Sequence, residues 1–177
     1  LKISFSHGSI DDELDKGITS FSMNLLHQQL LDNKKAISLF ERIGAEYNSN
    51  VRKESSDITL RFVSTQENIE FIANNLNLML KGESITDEII SDNQEKVINI
   101  IKRRNVDPGR LIQNTSNEIY FKNTSYSHPT IGYIENIRQF NKEKVIQTIE
   151  RIRDSKKSFS LVGDISENTS AYLISKI

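Results

Sequence analysis

The sequence predicts an α+β domain in which a mostly antiparallel sheet carries helices on one face. The first observation behind this is the order of periodicities. Segments with apolar residues at alternate positions and segments with apolar residues every three or four positions run strand, two helices, two strands, a long helical stretch, one strand and a helix. The second is the strand around Asp57–Val63, where Ile58, Leu60 and Phe62 face one way while Thr59 and Arg61 face the other, as in a sheet with one covered face. The third is size: 177 residues suit one compact unit, and neither an internal repeat nor an interdomain linker breaks the chain.

The first strand is read from the alternation of Leu1, Ile3 and Phe5, and His7-Gly8-Ser9 turns the chain into an acidic run at Asp11, Asp12, Glu13 and Asp15, expected to be a solvated loop. A helix should begin near Gly17, because Ile18, Phe21, Leu25, Leu26 and Leu30 make one apolar stripe. A short helix from about Lys34 to Ile43 should stop at Gly44. Two strands follow, near Ala45–Val51 and Asp57–Val63. Ile69, Ile72, Leu76 and Leu80 then mark a helix that ends by Gly82. Thr86 with Asp87 and Glu88 opens a long helix whose other end carries Lys102, Arg103 and Arg104, a charge order that suits the helix dipole. Pro108 fits the first turn of a helix reaching about Phe121. Residues 123–132 are read as loop, Val145, Ile149 and Ile152 as a helix, Phe159–Val162 as a strand, and the chain from about Ser166 as a last helix.

Composition narrows the function. Lys and Arg number 23 against 24 for Asp and Glu, with both signs scattered, which argues against nucleic acid or an anionic membrane as the main partner. No apolar run is long enough to span a membrane, so a soluble chain is expected; periplasm, cytoplasm and mitochondrial matrix are all compatible. Without cysteine there is neither a disulfide framework nor a thiolate metal site. The glycines form no phosphate-cradling pattern, no G-x-S-x-G elbow is present, and the acidic run lacks calcium-loop spacing.

Three stretches, taken together and in order, resemble the repeating domain of the insulinase/pitrilysin family of zinc metallopeptidases, which also builds mitochondrial processing peptidase and core subunits of the cytochrome bc1 complex. They are FSHGSIDDELDKGITSF, LFERIGAEYNSNVRKESSDITLRFV, and the pair HPTIGYIENI and FSLVGDIS. The resemblance implies one domain over residues 1–177, a piece of a longer two-domain chain. It also implies where zinc would bind. The family's H-x-x-E-H falls, counted from Gly17, on Ser20, Met23 and Asn24, and its distant Glu falls in the stretch Ile98, Asn99, Ile100 and Ile101 before Asp107-Pro108. A hydroxyl, a thioether and a neutral amide do not replace two imidazoles and a general base.

The expectation is therefore a non-catalytic domain with no catalytic residue, no metal ligand and no cofactor of its own, zinc being expected only in a partner domain or subunit. It belongs to the second half of an active peptidase chain or to an inactive partner subunit, forming one wall of a peptide-binding chamber. Its expected partners are a second domain or subunit of the same fold and peptide substrate, with no nucleic acid. A purely structural subunit of the same fold is the alternative. A relocated metal site would have to use His27 or His128, yet no second His or Glu lies three or four residues from His27. His7 and His128 are read as supports of their turns.

Overall fold

The computed structural model describes all residues from Leu1 to Ile177. Strand β1 (Lys2–Phe5) leads through a single 3-10 turn, Ser9–Asp12, to α1 (Ile18–Leu26). A two-residue hairpin, β2 (Leu30–Leu31) and β3 (Lys34–Lys35), precedes α2 (Ala36–Arg42). The main hairpin, β4 (Glu46–Val51) and β5 (Ser56–Arg61), is followed by α3 (Gln66–Lys81), α4 (Asp87–Arg104) and α5 (Pro108–Tyr120). A one-turn α6 (Ile134–Ile137), α7 (Lys142–Asp154), β6 (Lys157–Ser160) and α8 (Glu167–Lys176) come after it.

The sheet order is β4-β5-β1-β6 and every pairing is antiparallel. Ile3 lies opposite Ile58 on one side and Phe159 on the other. Alternation does the sorting: Ile3, Phe5, Ile58 and Leu60 join Phe21, Leu25 and Leu26 of α1 and Ile72 and Leu76 of α3 in one buried cluster, while Thr59 and Arg61 stay exposed. This is the α+β class that the sequence predicts. β4 and β6 are the edges, so one side of each backbone has no strand partner.

The boundaries depart from the periodicity in four places, the simplest being β5, which ends at Arg61 and leaves Phe62 and Val63 outside the strand. Helix α1 ends at Leu26, four residues before Leu30. The buried side-chain amide of Gln29 donates to the carbonyls of Leu26 (3.0 Å) and Met79 (2.7 Å), satisfying an end carbonyl that further helix would have used. Asp32 and Asn33 both have left-handed backbone angles, the pair that a two-residue hairpin turn demands, so Lys34 and Lys35 form a strand and α2 starts later than expected. The last strand lies two residues earlier than expected, because Ser160 pairs with Lys2 at the start of β1 and Leu161 and Val162 run past it.

The acidic run is a correction of substance. Asp12, only 3% exposed, accepts hydrogen bonds from the backbone N–H groups of Gly17 (2.7 Å) and Thr19 (3.0 Å). Gly17 is the N-cap of α1 and has no side chain to cap with, so Asp12 does that work from outside the helix. Asp11 accepts from Gly8 N–H (2.8 Å), Asp15 pairs with Lys144 (2.6 Å), and the exposed Glu13 lies 3.9 Å from Arg151. The run fastens the entry of α1 to the strand-end turn and to α7.

Candidate functional site

The start of α1 is held against the 129–132 loop by two glycines in contact. A Cβ on Gly17 would lie 2.5 Å from the Ile131 carbonyl oxygen, and one on Gly132 would lie 2.0 Å from that of Lys16. Both have positive φ, +96° and +78°, which L side chains rarely adopt. The loop is tied down further where Lys53 Nζ donates to the carbonyl of His128. The buried His128 ring places Nδ1 3.0 Å from the Pro129 carbonyl.

This packing creates a cleft beside the edge strand. Ser20, Met23 and Asn24 line a cavity of about 220 Å3 together with Ser49–Val51 of β4, Arg104 at the end of α4, and Thr130 and Ile131 of the loop. The structure therefore brings together the three positions where the zinc motif would fall. Their chemistry does not fit the metal. Met23 is 1% exposed, and its thioether belongs to the hydrophobic core. Asn24 Oδ1 already accepts from Gln28 Nε2 (2.5 Å), which also donates to Asn93 Oδ1 (3.0 Å) across to α4. No imidazole or carboxylate lines the cavity, and its one charged side chain is a cation, Arg104. A guanidinium repels a divalent ion that neutral donors hold weakly. Of the stretch where the distant Glu would fall, Ile101 is buried in the core.

The histidines do not make a second site. No group of three His, Cys, Asp or Glu side chains comes close enough to hold a metal ion. His27 is half-buried with its ring 5.8 Å from that of Tyr47; burial, then Lys35 and Lys96, holds its pKa below the ordinary value. His7 sits 3.9 Å from Asp11, with burial outweighing that carboxylate and lowering its pKa as well. Burial also lowers the pKa of His128.

A second, larger cavity of about 790 Å3 shares Arg104, Thr130 and Ile131 with the first, and extends between α5 and residues 126–135. Arg52, Lys53 and Arg110 line it, as do Glu118 and Glu135. Tyr133 donates to Glu118 (3.1 Å), and partial burial with that carboxylate pushes the phenol up to about 12. The amphipathic α5 that forms one wall buries none of its own residues, leaving Ile112 and Ile119 exposed. From the sequence, Arg104 has only a helix-end role. The signal for more was its place one turn beyond Ile100 and Ile101, on the helix approaching Asp107-Pro108.

No family model matches the sequence, and no curated protein matches it. Solved structures do. The chain superposes on a peptidase M16 inactive domain from Pseudomonas fluorescens with a TM-score of 0.88 at 15% identity, covering 99% of this chain and 43% of that one. On the periplasmic protease PqqL from Escherichia coli the values are 0.84 and 15%, covering 98% of this chain and 20% of the other. A chain of complex III2 from Candida albicans gives 0.66 at 14%, covering 98% and 39%. The fold is thus that of the M16 peptidase domains, the insulinase/pitrilysin fold that the sequence motifs resemble. The chain spans less than half the length of these proteins. No helix is long and apolar enough to cross a membrane.

Proposed function

We propose that this domain is a non-catalytic wall of a peptide-handling chamber. It is completed by a second unit of the same fold, and cleavage, where it occurs, is carried out at zinc held by that partner. One observation carries the reading: the cleft at Ser20, Met23 and Asn24 stays open beside edge strand β4, and its lining offers neither imidazole nor carboxylate. An unpaired strand edge next to an open cleft offers an extended peptide backbone hydrogen bonds along β4 and side-chain room at Ser49–Val51. The length that this chain leaves uncovered in the M16 structures supports a second unit.

Hydrogen exchange with and without a saturating unfolded peptide tests it. The outward amides of Tyr47–Val51 should slow, and the protein purified without chelator should hold less than about a tenth of an equivalent of zinc, since resident zinc stays near stoichiometry. Unchanged exchange at β4, or near-stoichiometric zinc with peptide cleavage by this chain alone, overturns the proposal. The likeness to a complex III2 chain favours a second reading, a structural subunit with no peptide handling. On that reading an assembly partner covers the cleft, and only that partner slows exchange along β4.

A further inference from the structure

We propose that the cleft at Ser20 and Asn24 is a carboxylate subsite anchored by Arg104, which takes the Asp or Glu side chain of an extended peptide laid along β4. The inference rests on the peptide-handling reading above and names the chemical class that the site selects. The sign of the cleft is the first argument. A zinc site gathers carboxylate and imidazole around a cation; here the cation is part of the protein, and every other side chain lining the small cavity is neutral. Arg104 takes part in none of the chain's six ion pairs, so its guanidinium has no carboxylate of its own.

Neutral donors stand beside it. With Asn24 Oδ1 engaged by Gln28, its Nδ2 donor is still available, and Ser20 and Thr130, which each carry a hydroxyl, line the same cavity. The neighbouring cavity extends the positive sign. Arg52 is occupied by Asp57 (2.7 Å) and Lys53 by the His128 carbonyl, whereas Arg110 has only a 3.5 Å contact to Gln113. Against these stand Glu118, which accepts from Tyr133, and Glu135. Four cations face two carboxylates around the larger cavity, in a chain whose net charge is −1. Those carboxylates, and the scattered charge elsewhere, disfavour a long polyanion and favour a single acidic side chain placed by the strand register. A guanidinium in a concave site binds a carboxylate through charge-assisted, directional hydrogen bonds that a neutral amide cannot return.

The test is fluorescence anisotropy of the purified chain with labelled extended peptides identical except for a central Glu, Gln or Lys. The Glu peptide should bind about tenfold more tightly than the Gln peptide, a difference of about 1.4 kcal/mol, and the advantage should shrink as salt is added. Arg104→Gln should abolish the preference with the Gln peptide still bound, and Arg104→Glu should turn it toward the Lys peptide. Urea unfolding of both variants confirms that they fold. Equal binding of all three peptides, or a Glu preference that survives Arg104→Gln, overturns the subsite and leaves the peptide-handling reading standing. Binding of none of them overturns both. Displacement of the Glu peptide by inorganic phosphate at the peptide's own concentration range overturns the peptide carboxylate in favour of a free anion.

Discussion

Replacing Gly132 by Ala tests whether backbone contact with the entry of α1 builds the cleft. Two costs can be worked out. A Cβ at φ +78° meets the left-handed penalty, about 1–2 kcal/mol. The same Cβ would stand 2.0 Å from the Lys16 oxygen and 2.7 Å from its carbonyl carbon, both backbone atoms that no side-chain rotation can remove. Relieving that overlap needs the loop and α1 to separate, at roughly 1–3 kcal/mol for overpacking of this kind. The expected loss is about 2–5 kcal/mol in total. Gly44→Ala is the control, since φ is +68° there but nothing lies within 4 Å. It keeps the strain without the clash, and stiffening of the unfolded chain returns about 0.4–1 kcal/mol. Urea denaturation read by circular dichroism, with slopes compared to confirm a common transition, gives both numbers. Gly132→Ala should cost at least about 1 kcal/mol more than Gly44→Ala. Equal costs would refute the claim that the contact is tight, and with it the role given to the loop.

Two further outcomes follow from the same region. Asp12→Ala leaves the buried N–H groups of Gly17 and Thr19 without their acceptor, which should cost about 2–4 kcal/mol by urea denaturation, and Asp12→Asn, which keeps one side-chain oxygen, should cost less; a loss below about 0.5 kcal/mol for the alanine variant would show Asp12 to be dispensable. Burial lowers His7, His27 and His128 below 6.5, so the unfolded chain binds more protons near that pH and stability, complete above it, should fall as pH drops through the window beneath it. Asp12, raised above 3.8 chiefly by burial, contributes with the opposite sign, stabilising below 3.8 and losing that contribution as pH rises through its folded value. Urea midpoints between about pH 8 and 5.5 check the histidine term, and a midpoint that rises on acidification contradicts it.

Much of this architecture is legible in the sequence because each signal is local. Alternation at Ile58 and Leu60 places one face of β5 in the core, Thr86 caps the helix that it precedes, Pro108 opens α5, and Gly44 and Gly82 end the helices before them. The apolar period failed where one side chain reached across the fold. Leu30 continues the stripe of α1, but Gln29 diverts the chain by bonding to Met79, fifty positions away. The acidic run looked like solvent-facing charge because nothing nearby marks Asp12 as a cap for a helix five residues on. Ser20, Met23 and Asn24 share one cleft with β4, which their helical spacing on α1 allows, whereas the share of Arg104 in that cleft depends on where α4 ends relative to α1, a tertiary quantity.

A cleft that holds nothing is readily filled by apolar side chains, and this one is not. Met23 belongs to the core and fills one side; Ser20, Asn24, Thr130 and Arg104 keep the remainder polar and open. The Arg104 side chain is exposed and takes part in no ion pair, so the packing of the domain does not depend on it. α5 points the same way: it forms a wall of the larger cavity, is amphipathic, and buries none of its own residues. A helix of that length has little stability of its own in water, and its exposed apolar face is compatible with the second unit proposed above. Polar cleft, free cation, unpaired strand edge and unburied helix all lie on one side, and there the function of this domain is to be sought.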